Sequence, residues 1–158
     1  MEKRAEAIKP PADMGQVPNK ISTGEGFSGF TADQWKTFIL VYSTPIMWDL
    51  LSVNDRKILG NFVRVCSILV CRIISKDELN EAHSRLLKIG QLIEEHYGKE
   101  LITPNIHLSL HIAECCCDYG PIYSFWYYSF ERMNGILGKF PNNEYGVDII
   151  YLYIVIDF

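Results

Sequence analysis

The chain has 158 residues, enough for one domain with a real core. Apolar side chains make up 48% and charged ones 22%, a balance that excludes a disordered or low-complexity polypeptide. The formal net charge of −4 argues against autonomous DNA binding, because a self-sufficient nucleic-acid binder needs a basic excess to replace counterions at phosphates.

Residues 1–30 hold Pro10, Pro11 and Pro18 with Gly15, Gly24, Gly26 and Gly29, which predicts an extended, mobile lead-in. Its start, MEKRAEAIKPP, has no apolar stretch of the kind a secretory signal needs. Thr31 and Gln34 form a capping-box pattern, and Trp35, Phe38, Ile39 and Tyr42 follow at helical spacing until Pro45 ends or kinks the helix. A helical turn is expected over 46–51. Ser52 and Asp55 then cap a helix over 55–74, with a narrow polar stripe of Lys57, Asn61, Arg64 and Arg72. Its other positions (Ile58, Leu59, Phe62, Val65, Cys66, Leu69, Ile73) are apolar, so it should be the central, most buried helix.

Ser75 and Glu78 make another capping box, opening a helix that carries Leu79, Ala82, Leu86, Ile89, Ile93 and Tyr97 to a stop at Gly98. Thr103-Pro104 starts the next helix, with proline where its missing donor costs nothing, and Gly120-Pro121 ends it. A last helix is expected over 122–137. The sum is all-α: a single helical domain of about five principal helices over 31–143, after the lead-in of 1–30. The divergent apolar tail, 144–158, ends in VDIIYLYIVIDF, which is β-branched and aromatic. Two readings of it stay open, a terminal strand or the product of a truncated or frame-shifted reading frame. No apolar run reaches the ~18 residues of a membrane-spanning helix. Five cysteines, an odd number, do not suit a secreted disulfide framework; reduced thiols and a nuclear or cytoplasmic, not secreted, location are expected.

Three strings then stand out: N-x-H-L-x-x-H-I from Asn105, Y-G-P-I-Y-S-F-W from Tyr119, and F-E-R-M-N-G from Phe130. Together with Val17-Pro18-Asn19-Lys20-Ile21 and Gly29-Phe30-Thr31-Ala32-Asp33-Gln34-Trp35, they resemble the C-terminal part of the catalytic region in CACTA (En/Spm-like) transposases, of the type abundant in fungal genomes. The resemblance runs from about Pro11 to about Asn143. It implies helices packed on an RNase H-like core, and a catalytic triad of Asp, Asp and Glu that binds Mg²⁺ or Mn²⁺ for strand cleavage and transfer on transposon DNA. Glu131 matches the glutamate. The two aspartates would lie before Met1, so the chain reads as a fragment, inactive by itself and with no cofactor expected for it alone.

Glu131 is conspicuous on its own account: a carboxylate on so apolar a segment must be paired, protonated or metal-bound. The bland reading is an ion pair with Arg132 or a remote basic residue. In a complete enzyme Arg132 and Asn134 are the candidates for a DNA or phosphate contact. His107, His111 and Cys115 follow one another a helical turn apart, a weak zinc pattern with no obvious fourth ligand; packing or DNA contact are the alternatives, and packing is favoured. The Cys115–Cys117 triplet reads as small buried hydrophobes, with no base to activate a nucleophile. The aromatics between Tyr119 and Phe130 read as core, because no Lys or Arg is interleaved to make a base-stacking platform. The competing functional class is a non-enzymatic helical module that self-associates, or an inactive transposon remnant.

Overall fold

The computed structural model describes Ile8, Ile21, Phe27 and residues 30–125. Among these, all regular secondary structure is helical. The elements are α1 (Ala32–Thr37), α2 (Ser43–Met47), α3 (Val53–Leu69), α4 (Lys76–Tyr97), α5 (Pro104–Ser109), α6 (Ile112–Tyr119) and α7 (Ile122–Phe125). No helix among the described residues is long and apolar enough to cross a membrane.

The capping boxes form as the spacing requires. Thr31 N–H donates to Gln34 Oε1 at 2.8 Å while Gln34 N–H donates to Thr31 Oγ1 at 3.3 Å. At the head of α4 the Ser75 N–H donates to Glu78 Oε2 at 2.8 Å, and Glu78 N–H returns to Ser75 Oγ at 3.2 Å. Each box satisfies donors that the first helical turn leaves without partners. Those bonds hold the Glu78 carboxyl below its usual range. Gly98 closes α4 at φ 93°, and its N–H donates to Glu94 O.

Pro45 does not end the first helix. Between α1 and α2 the chain widens into a π-helical turn, Phe38–Tyr42, and remains helical through the proline. Proline has no N–H and its ring crowds the carbonyl four residues back, so a widened turn upstream accommodates it without stopping the helix. In that turn Ser43 N–H reaches back five residues to Phe38 O, and the buried Ser43 hydroxyl donates to Ile39 O at 2.6 Å. The hydroxyl replaces a backbone donor that the π geometry has diverted.

Two apolar clusters form. The larger joins Val65, Ile68 and Leu69 of α3 to Leu79, Ala82, Leu86 and Ile89 of α4, with Cys116 of α6 closing one side. Burying each large aliphatic of this set contributes about 1.5–3 kcal/mol before conformational entropy is set against it. The smaller cluster gathers Phe38, Tyr42 and Ile46 around Ile21, with Ile8, Phe27 and Phe30 against it. Phe27 stacks on Trp35 with ring centres 4.7 Å apart and an interplanar angle of 7°, and meets Phe38 edge-on at 5.0 Å. Ile21, Phe27 and Phe30 thus pack on the π turn; the rest of the expected lead-in, Ile8 apart, lies outside the described residues. These apolar side chains find a hydrophobic site, and aromatic pairs add about 0.5–1.5 kcal/mol each beyond area burial.

Other boundaries also shift. The helix expected over 55–74 runs Val53–Leu69 and ends at a turn through Val70 and Cys71. Ile73 falls past that end and is 88% exposed, and Phe62 within α3 is 40% exposed. Fully buried side chains are more numerous on α4 (Leu79, Ala82, Leu86, Ile89 and Leu92) than on α3 (Val65, Ile68 and Leu69), yet α3 has the smaller exposed share, as expected of the central helix. An apolar composition all round does not bury every side chain of a helix whose partners cover only part of its surface. The expected single helix from Pro104 to Tyr119 divides into α5 and α6 at a corner on Leu110 and His111. Residues 126–143, including the rest of the helix expected over 122–137, and the tail 144–158 lie outside the described residues.

Candidate functional site

The helix pair α3–α4 is fastened by ionic contacts. Arg64 Nε and Nη2 donate to the two carboxylate oxygens of Glu81 at 2.9 and 2.8 Å. Arg85 Nε donates to Glu81 Oε1 at 2.8 Å and its Nη1 to Asn61 Oδ1 at 3.0 Å. Hydrogen bonds from Arg64, then from Arg85, bring the Glu81 carboxyl down to about 2. Asp55, at the start of α3, accepts from the Tyr97 hydroxyl at the end of α4 and from Ser52 Oγ. The Tyr97 bond is the larger cause of its lowered pKa, and the same bond raises that of Tyr97. Arg64 of α3 and Arg85 of α4 thus converge on the Glu81 carboxylate, and Arg85 reaches Asn61 as well.

Chemically less committed side chains gather at the α5–α6 corner. Thr103 Oγ1 accepts from Ile106 N–H at 3.4 Å and Pro104 opens α5, as the sequence implies. At the corner Leu110 N–H donates to His107 O at 3.1 Å and His111 N–H to Leu108 O at 3.0 Å, both tight three-residue turns. His83 on α4 lies behind it, with Nδ1 3.1 Å from Leu110 O. A carbonyl can only accept, so the partner assigns the His83 proton to Nδ1. This long-range bond holds the corner against the bundle, and it was invisible to periodicity.

His107 and His111 are both exposed, and their rings meet edge to face with centres 5.4 Å apart and an interplanar angle of 76°. His111 Nδ1 lies 2.9 Å from Glu114 Oε2. Glu114 was missed as a partner of the pair; its signal was the H-x-x-E spacing, which places the two side chains on one helical face. Cys115 follows one turn on, with its N–H donating to His111 O at 3.0 Å. Among the described residues, however, no three His, Cys, Asp or Glu side chains assemble into a metal-holding group. The structure brings His107 to His111 without bringing Cys115 into a three-ligand set. The packing role favoured for the two histidines does not match their exposure.

The cysteine triplet divides by position. Cys116 is buried in the main cluster, where desolvation raises its thiol pKa, while Cys115 is half-buried and Cys117 exposed. Cys66 is pushed up to about 11 by burial. High thiol pKa values leave little nucleophilic thiolate near neutral pH. A hydrophobic role therefore suits Cys116 and Cys66.

The chain next turns through Gly120, at φ 86°, into α7. Gly120 N–H donates to Cys116 O at 3.0 Å, and the Ser124 hydroxyl lies 2.7 Å from Pro121 O. Only Ile122 of α7 packs on the main cluster. Tyr119 is 71% exposed, and Tyr123 and Phe125 are also exposed, so the described aromatics of this run are surface residues, contrary to the core reading. The short helix turns one side to the bundle and leaves the rest open. Arg72, from the α3–α4 connection, sits with Cζ 4.6 Å from the centre of the Tyr123 ring. Counting basic residues along the aromatic run could not find it, because it arrives from about fifty positions earlier.

The chain matches no protein-family model, no curated protein and no solved structure. Glu131, Arg132 and Asn134, the residues singled out for catalysis and phosphate contact, lie outside the described residues.

Proposed function

We propose that this chain is part of a CACTA-like DNA transposase and supplies its third metal-binding carboxylate, Glu131. What carries the reading is the order and spacing of the N-x-H-L-x-x-H-I, Y-G-P-I-Y-S-F-W and F-E-R-M-N-G strings. The helical fold supports it at the level of class. The exposed Tyr119, Tyr123 and Phe125 support it further, since a surface meant to pack on a larger core would expose such side chains when that core is absent.

In the complete enzyme, two aspartates from preceding polypeptide would join Glu131 in holding Mg²⁺ or Mn²⁺. The metals would activate water or a 3′ hydroxyl for in-line attack on a phosphodiester. Arg132 and Asn134 are then placed by sequence to meet the phosphate. One carboxylate cannot hold two ions, so the chain alone is inactive in this reading. The test is the transcript through the locus, mapped at both ends. An in-frame upstream extension with two aspartates is expected; a transcript lacking one rejects the enzyme reading.

The same exposed aromatics, Tyr119, Tyr123 and Phe125, favour a second reading, a helical interaction module that self-associates. Sedimentation over a hundredfold range of protein concentration, without metal, distinguishes it: concentration-dependent assembly supports the module, and a monomer throughout rejects it.

A further inference from the structure

We propose that His107 and His111 form a two-histidine site for a borderline transition-metal cation, with Zn²⁺ as the reference ion, on the exposed corner between α5 and α6. The ligand atoms are the two Nε2 atoms, water fills the remaining positions, and Glu114 orients His111 from outside the coordination sphere. The site is independent of Glu131 and of the reading built on it.

Separation is the first argument. With zinc–nitrogen bonds of about 2.0–2.1 Å at tetrahedral angles, two imidazoles that share one ion have ring centres roughly 5 Å apart. The His107 and His111 centres are 5.4 Å apart. The separation therefore already suits one shared ion, and rotation about the two side chains' torsions aims both Nε2 atoms at it; the two histidines also stand four residues apart, the spacing zinc-binding motifs use.

The second argument is the tautomer. Glu114 Oε2 lies 2.9 Å from His111 Nδ1, and a carboxylate can only accept. The proton is therefore on Nδ1, and the lone pair that binds metals is on Nε2. A carboxylate behind a ligating histidine is the usual outer partner in such sites, fixing the ring and raising its basicity. Here it is supplied within the same turn of chain.

The third argument is anchoring. The Leu110 carbonyl between the two histidines is held by His83 of α4 at 3.1 Å, so the backbone carrying both ligands is fixed to the bundle. Both rings nevertheless face solvent, with the His111 side chain 50% exposed, so an ion and its waters have access. Imidazole suits Zn²⁺, Ni²⁺ and Cu²⁺, while Mg²⁺ and Ca²⁺ prefer oxygen. Because no third protein donor joins among the described residues, binding is weaker than in a four-ligand structural site and is readily reversible. Its effect is to staple the corner, and it stabilises the folded chain by mass action.

The experiment titrates Zn²⁺ alone into the full chain, stripped of metal and kept reduced, by calorimetry, with Co²⁺ as a spectroscopic stand-in. One ion per chain is expected, together with a rise in melting temperature. The affinity should fall at least tenfold in His107→Gln and in His111→Gln, and about tenfold in Glu114→Gln. The Co²⁺ adduct should lack thiolate charge-transfer absorption. Both histidines are exposed, so the metal-free variants should melt with the parent chain, which separates lost binding from lost folding. Unchanged affinity in either histidine variant overturns the site, as does strong thiolate absorption, which would assign the ion to Cys115 or Cys117. Unchanged affinity in Glu114→Gln overturns the orienting role.

Discussion

Replacing Arg72 with alanine should loosen α7 and little else. The guanidinium carbon stands 4.6 Å from the Tyr123 ring centre, inside the ~6 Å reach of a cation–π contact. At an exposed site such a contact contributes about 0.5–1 kcal/mol. At 1.4 kcal/mol per decade, its loss multiplies the local opening of α7 about two- to fivefold. Ile122 still packs on the main cluster, so α7 should fray without the bundle unfolding. Amide hydrogen exchange read peptide by peptide is the assay. Faster exchange is expected over Ile122–Phe125, with α3 and α4 unchanged and Arg72→Lys falling between. Unchanged exchange in α7 would refute the clamp. An equal acceleration across α3 and α4 would refute its locality.

Ile46 is completely buried in the smaller cluster, so Ile46→Ala should destabilise the chain by about 2–5 kcal/mol, read as a lowered denaturant midpoint with a similar slope. Gly120 has φ 86° and ψ −173°, a region essentially reserved for glycine, so Gly120→Ala should cost about 1–3 kcal/mol in the same measurement. Its added Cβ would meet Ser124 Oγ at an ordinary 3.4 Å, so strain rather than a clash is the cause. Glu81 has a folded pKa of about 2 against an ordinary 4.5. A depressed carboxyl stabilises fully above its unfolded pKa, and the contribution is lost as pH falls through the folded one. The chain should therefore weaken as pH drops from about 4.5 toward 2, with a shallower acid dependence in Glu81→Gln, followed by melting at stepped pH.

What could be read from the sequence was local. The boxes at Thr31 and Ser75, the cap at Ser52, the proline start at Pro104 and the glycine stops at Gly98 and Gly120 all depend on partners within a few residues, and all of them form. Features that depend on distant partners were not legible. His83 is 27 positions from the Leu110 carbonyl that it holds, and Arg64 is 17 from Glu81. The π turn arises from Pro45 acting on residues before it, where a local rule sees only a helix breaker. The early end of α3 leaves Ile73 outside a face on which periodicity alone had placed it. For the candidate site, the sequence named both histidines but gave Cys115 as their third member. The structure instead sets Glu114 beside His111, within the first turn of α6.

The most direct test of the central claim is strand cleavage by the enzyme that this chain would complete. The chain is joined to a polypeptide that supplies the two aspartates the proposal requires, and DNA bearing the element's ends is supplied with Mn²⁺. Metal-dependent nicking at those ends is expected, falling to background in Glu131→Gln while the variant melts with its parent. Equal nicking by Glu131→Gln and its parent, or no nicking by either, would contradict the assignment of Glu131 as the third metal-binding carboxylate.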